Sequence, residues 1–256
     1  MKTIFITLAA LLFTSDILFA QNARFTTSGT IEYERSANMF AIIKRMYGSE
    51  MDGFLQQAFD QYKKTQPQFK VLKSTLDFNG DKTLFTPIVP DVTNNAFFGL
   101  QTTDQNNTVY TDLSAQKSIV QKKVFEETYL VKDSVKKIKW KITDETRVIA
   151  GYNCRRANGL IMDSIYVVAF YTDQIHISGG PESFNGLPGM ILGVALPHEN
   201  LSWFATKVTD MTLPENTIVP PKKGKVVDNK ELYNTLKDVM KDWGDEGPMY
   251  LKAFLL

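Results

Sequence analysis

What most restricts the fold of this chain is the rhythm of its apolar residues. Over residues 25–35, Gly29, Ile31 and Tyr33 fall on one parity and Thr30, Glu32 and Glu34 on the other, the alternation of a strand with one buried face. Leu72, Ser74, Leu76 and Phe78 repeat the pattern, Asn79, Gly80 and Asp81 interrupt it, and Leu84 and Phe85 resume it. Asn-Gly between two such runs is a strong hairpin signal. Further strands are predicted at 108–113, 117–122, 124–131, 138–143, 147–160, 165–172, 190–196 and 203–211. Their spacing of about ten residues, with turns between most of them, selects a meandering antiparallel sheet over alternating strand and helix units.

Between the first two strands, Phe40, Ile43, Tyr47, Met51, Phe54, Ala58 and Tyr62 recur at steps of three and four. That period predicts one helix of about 25 residues laid on the sheet, weakened at Gly48 and Gly53 and stopped before Pro67. Near the C-terminus, Asp228 stands three residues before Glu231 in a variant of the capping box, and Leu232, Leu236, Val239 and Trp243 follow at helical spacing up to Gly244. Residues 249–256 are apolar and are expected to dock against the domain. The expected fold class is mainly β with helices (α+β). Its antiparallel meandering sheet curves into a half-open barrel or sandwich, with one long inserted helix and a C-terminal helix. Two long connections, 87–99 and 173–188, are candidates for function, as long loops in compact domains commonly are.

A hydrophobic fraction of 43% is enough for a real core, and 29 basic against 28 acidic residues leave no electrostatic footprint for nucleic acid. The chain has a single cysteine, Cys154, so no intramolecular disulfide can staple it. Cys154 is expected to be a buried neutral thiol within a strand.

The chain opens with Lys2, an apolar run through residues 4–13, and the sequence Leu18, Phe19, Ala20, Gln21. These read as n-region, h-region and cleavage site of a secretory signal. The expectation is a signal peptide at 1–20 and a single exported domain at 21–256, periplasmic or associated with the outer membrane, or extracellular. The apolar run is shorter than the roughly 20 residues that span a bilayer, so no membrane span is expected in the mature chain.

Motifs that carry familiar chemistry are missing: there is no G-x-S-x-G elbow, phosphate-cradling glycine loop, H-E-x-x-H helix or paired-cysteine motif. No cofactor or metal is expected. His176 and His198, the two histidines, read as a loop residue and a turn residue. Lys132, Lys136, Lys137, Lys139 and Lys141, with Lys122 and Lys123 upstream, read as a solvated sheet face; an anionic partner such as lipopolysaccharide is the alternative.

At residues 186–191 the chain reads Gly186, Leu187, Pro188, Gly189, Met190, Ile191, after Gly179, Gly180, Pro181, Glu182 and Phe184. Pro188 fixes its own φ and extends Leu187, while the two glycines admit angles closed to other residues. The product is a tight corner feeding the strand at Met190. This hexapeptide resembles the signature of the GLPGLI family, with Met190 in place of its second leucine. Residues 149–157 and the run Ala169, Phe170, Tyr171, Thr172 are similar in register. The resemblance implies an exported protein of a Gram-negative bacterium, often encoded near TonB-dependent outer-membrane receptors. It brings no catalytic residue. The strand pattern is also similar, at the level of fold only, to the half-open barrels of outer-membrane lipoprotein carriers.

The expected function is a binding or accessory protein of the envelope for an apolar ligand, peptide or envelope partner, with Tyr171, His176, Glu182 and Phe184 as candidate binding residues. Two alternatives stand beside it: an envelope hydrolase using carboxylates or His176, and a docking module for a TonB-dependent outer-membrane transporter.

Overall fold

A computed structural model describes residues 26–48, 51–89, 103, 107–214, 216–244 and 246–256. The proposed signal peptide and most of the 87–99 connection lie outside these residues. In chain order the elements are β1 (Ser28–Asn38), α1 (Met39–Tyr47), α2 (Gly53–Thr65), β2 (Phe69–Asn79), β3 (Lys82–Ile88), β4 (Thr108–Asp112), β5 (Lys117–Val124) and β6 (Glu127–Ser134). They continue with β7 (Lys139–Ile149), β8 (Tyr152–Ile161), β9 (Ile165–Thr172), β10 (Met190–Leu196), β11 (Leu201–Asp210), β12 (Lys225–Val227), α3 (Asn229–Val239) and α4 (Glu246–Leu255).

All twelve strands join one sheet in the order β12-β6-β5-β4-β3-β2-β1-β11-β10-β9-β8-β7. Two meanders meet at β1, which pairs antiparallel with both β2 and β11. Among the described strands only the short β12 runs parallel to its neighbour, β6. The link from β6 to β7 shows how far the sheet curls. These strands lie ten places apart, about 48 Å across a flat sheet, yet residues 135–138 alone connect them and reach at most about 18 Å. The two ends must therefore come round to face each other. Among the described residues no strand pair closes the gap, so the sheet is a bowl with a seam, not a barrel.

Local chemistry explains the hairpins. The hairpin signalled at Asn79 and Gly80 forms one residue on: Asn79 pairs with Lys82, and Gly80, at φ +54, and Asp81 make the two-residue turn from β2 to β3, with glycine at the first central position. Ala150 and Gly151, both with positive φ, make the two-residue turn from β7 to β8. Trp140 on β7 stands opposite Gly159 on β8, where an added Cβ would come within 2.9 Å of the indole ring. An aromatic covering a glycine in this way fixes strand register near a sheet edge.

The long inserted helix is two helices. Asn38 caps α1, accepting from the Ala41 amide at 3.2 Å, and α1 ends at Gly48; Asp52 precedes the first turn of α2. Both glycines foreseen as weak points sit at the break, because glycine loses more backbone entropy in a helix than any other residue. Phe54 on the expected apolar stripe is 68% exposed, and Phe59 is the buried residue of α2. Helix α3 has the capping box of Asp228 and Glu231. Among the described residues no helix is long and apolar enough to cross a membrane.

The main core lines the concave side, with Ile31, Tyr33, Leu76, Phe78, Val194 and Trp203 buried. Tyr33 donates to the Ile191 carbonyl at 2.6 Å, tying β1 to β10 across β11. Helix α4 joins three apolar clusters: Met249 and Tyr250 pack with α1 and α2, Phe254 with α3 and β5 to β6, and Leu256 against the main core. Cys154 is fully buried and free, its thiol raised to about 11 by burial.

Candidate functional site

The concave face is filled by the chain itself. Residues 173–189, between β9 and β10, fold inward with Ile175, Ile177, Phe184 and Leu187 buried. Gly179 reaches as far as Thr83 on β3, whose methyl would stand 3.0 Å from an added Cβ. The loop returns to the sheet at Met190, whose amide donates to the Ile175 carbonyl at 3.0 Å, and Ile191, whose amide donates to that of Gly179 at 2.9 Å. At this corner Gly186 has φ +91 and Gly189 φ +149, and a Cβ on Gly189 would lie 2.1 Å from the Thr172 carbonyl oxygen. Leu187, Met190 and Ile191 are buried and Pro188 is exposed.

This loop delivers Glu182 to a group of buried polar side chains. Glu182 adopts φ +52, a left-handed conformation uncommon for a side chain of its kind. Its Oε2 accepts from Asn107 Nδ2 at 3.1 Å. Arg35, on the inward parity of β1, donates to the Thr103 carbonyl at 2.7 Å and lies over the Trp203 ring, 5.3 Å from its centre. Lys122, inward on β5, donates from Nζ to the Phe254 carbonyl at 2.6 Å. Lys136, just past β6, reaches the Leu255 carbonyl at 3.1 Å. These two lysines thus cap the last turn of α4, where unpaired carbonyls attract cations.

Burial sets the electrostatics. It raises the Glu182 carboxyl above its ordinary range, against the pull of Arg35, Asn107, Lys122 and Lys136. It lowers Lys122 to about 7, helped by the like charge of Lys136 and opposed by Glu182. Ser74 Oγ, Asn107 Oδ1 and Trp203 Nε1 are buried without a hydrogen-bond partner among the described residues. They line cavities of about 10 to 20 Å³ beside Glu182 and Lys122, each about the size of one water molecule. Among the described residues no group of three or more metal-ligating side chains comes together.

The interior meets solvent at the seam. There a cleft of about 560 Å³ is lined by Lys136, Lys137, Ile138 and Lys139, by Leu160, Ile161, Met162 and Asp163 on the neighbouring strand and its turn, and by Ser183, Phe184 and Leu256; Lys139 is paired with Leu160 across β7 and β8. Leu160 is 53% exposed and Met162 40%. Trp140 secures this edge, donating from Nε1 to the Asn185 carbonyl at 2.8 Å.

Of the four expected binding residues, the structure brings Glu182 and Phe184 to one inner cavity, beside Arg35 and Trp203. Tyr171 is buried in β9, and His176 is exposed on the loop. Arg35 was not foreseen, and Lys122, expected on a solvated sheet face, is buried. Their parity gave the signal: Arg35 continues the inward row of Ile31 and Tyr33, and Lys122 stands between Val120 and Val124.

Fold and site together define an open, bowl-shaped α+β domain that packs its own loop and helix inside and opens through a lysine-rimmed cleft. The chain belongs to the family described as N-glycanase peptide, N-terminal domain, whose model matches residues 94–233, more than half of its length. This corrects the resemblance to the GLPGLI family. The hexapeptide meets a local demand for two special glycine conformations around a proline, and the family match runs from before β4 into α3.

Two solved structures of PNGF-II match part of the chain. One, in space group P21, has 17% identity and a TM-score of 0.48 over 84% of this chain and 33% of that one. The other, in space group C2, has 16% identity and a TM-score of 0.49 over 78% and 31%. The chain thus spans about a third of the length of PNGF-II. An uncharacterised conserved protein from Thermus thermophilus aligns over 84% of this chain and 98% of its own, with 7% identity and a TM-score of 0.39. No curated protein sequence matches the chain.

Proposed function

We propose that the protein is an exported accessory module of the bacterial envelope that holds a ligand in the seam cleft and serves glycan or glycoprotein processing. The observation that carries the binding role is the cleft itself. Its volume of about 560 Å³ falls within the range of about 300 to 1,000 Å³ typical of small-molecule sites, and its apolar side chains are left partly open to solvent. Membership in a family named for the N-terminal domain of N-glycanases supports the link to glycan processing. Phe184 is the ligand's inner contact, and Glu182 behind it belongs to the polar interior. Residues 1–20 act as the export signal, and the mature chain begins at Gln21.

Native mass spectrometry of the protein taken from its own envelope tests this reading. The expected mass is that of a chain starting at Gln21 with a bound small molecule, and Leu160→Asp should release that molecule without unfolding the protein, since Leu160 is half exposed. Met1 retained on the purified protein would overturn export. A bound molecule equally retained by Leu160→Asp, or cleavage of a glycopeptide by the chain alone, would overturn the binding role.

A further inference from the structure

The cleft combines two kinds of surface. Ile138, Leu160, Met162 and Leu256 offer apolar walls, while Lys137 and Lys139 stand exposed at the edge with the single carboxylate Asp163. Lys136 is already engaged with the Leu255 carbonyl. A neutral apolar ligand would leave the lysine edge unused, and a compact anion such as phosphate would leave the apolar walls wet. Charge and shape are met together by a chain of methylenes ending in an acid group.

Resting on the binding role proposed above, we infer that the cleft takes a single-chain anionic amphiphile, its acyl chain along Leu160 and Met162 and its acid group at Lys137 and Lys139. The charge balance of the lining agrees with that assignment: Asp163, in the turn between β8 and β9, is the one acidic residue that lines the cleft with Lys136, Lys137 and Lys139, so the lining keeps a net positive charge.

Calorimetric titration with octanoate, decanoate and dodecanoate below their micellar concentrations, and with decanol as the neutral counterpart, decides the matter. Affinity should rise with chain length by up to about 4-fold for each methylene that is buried. Decanoate should bind several-fold more tightly than decanol, with an advantage that shrinks as salt screens the lysines. The double variant Lys137→Glu, Lys139→Glu should erase the preference for the acid and leave decanol unchanged. Leu160→Asp should weaken both at least 10-fold, whereas Val148→Asp, exposed on β7 and outside the cleft, should weaken neither.

Equal binding of acid and alcohol, no dependence on chain length, or an unaltered Leu160→Asp variant would overturn the assignment. The two readings fail separately. If the envelope-derived protein carries a neutral molecule or a saccharide that Leu160→Asp releases, the cleft is a binding site and only the anionic amphiphile is wrong. If it carries nothing and none of the four probes binds, both are wrong.

Discussion

Lys122 shows what a buried cation does to a small core. Its side chain is 5% exposed, and its pKa falls from the ordinary 10.5 to about 7 through burial, with Lys136 adding to the effect and Glu182 opposing it. Below about pH 7 folded and unfolded chains both carry the proton, and the folded state bears the cost of burying it. Between about 7 and 10.5 the unfolded chain binds a proton that the folded chain does not, so stability rises with pH by up to about 1.4 kcal/mol per unit. Cys154, raised from 9.0 to about 11, acts in the other direction once the unfolded thiol ionises, so the rise should be confined to roughly pH 7 to 9. Glu182, raised above 4.5, makes a contribution that is lost as pH climbs through its folded value. Urea titrations across this range should show the upward slope, and Lys122→Met should flatten it; a slope that survives the substitution would assign it to another group. A second residue-scale test separates steric demand from backbone angle. Gly189→Val places a Cβ on the Thr172 carbonyl and should cost more than about 3 kcal/mol, whereas Gly151→Ala, at φ +85 with nothing within 4 Å, should cost about 1 to 2 kcal/mol. Equal melting temperatures for the two variants would show that the corner yields.

Helix α4 is the element on which the interior depends. Phe254 is fully buried and packs edge-on to Phe125 at 5.1 Å and against Tyr250 at 6.3 Å, and its carbonyl receives Lys122. Phe254→Ala should therefore lower stability by about 3 to 5 kcal/mol, and hydrogen exchange should rise in β5, β6 and α3 before it rises in β9 and β10. Uniform loss of protection would mean that the three apolar clusters open as one. The apolar ending of residues 249–256 was readable as a docking segment, and so were most of the strands, because alternation over a half-buried sheet is a local property; the expected strand 147–160 is broken by the turn at Ala150 and Gly151, and β12 was not expected. The pairing of β1 with β11, the seam and the contents of the bowl were not, since they depend on contacts between residues far apart in the chain. The break between α1 and α2 was half legible: Gly48 and Gly53 were visible, but an unbroken apolar period masked their effect. For the candidate site, Glu182 and Phe184 could be singled out from a long loop beside a proline corner. Arg35 and Lys122 were hidden because each reads as an ordinary surface charge until its strand parity is followed inward.

The whole molecule is held in its bowl shape by two agents: the short tether of residues 135–138, and the loop, helix and side chains packed inside. Strand twist curls any sheet of this width, and the interior contacts from Tyr33 to Ile191, Gly179 to Thr83 and Lys122 to Phe254 span the concavity without involving the tether. The packing, on this account, holds the shape, and the tether sets the width of the cleft. Inserting about six Gly and Ser residues between Lys136 and Lys137 tests the division. Loop-closure entropy rises only slowly with length, so the insertion should cost under about 1 kcal/mol and lower the melting temperature by roughly 2 to 4 °C. It should also separate Lys136, held by the Leu255 carbonyl, from Lys137, Ile138 and Lys139 beside it in the same wall of the cleft, and weaken decanoate at least 10-fold. A far larger fall in melting temperature would show that the tether, not the packed interior, keeps the sheet curled. An unchanged affinity would mean that the wall formed by residues 136–139 does not touch the ligand.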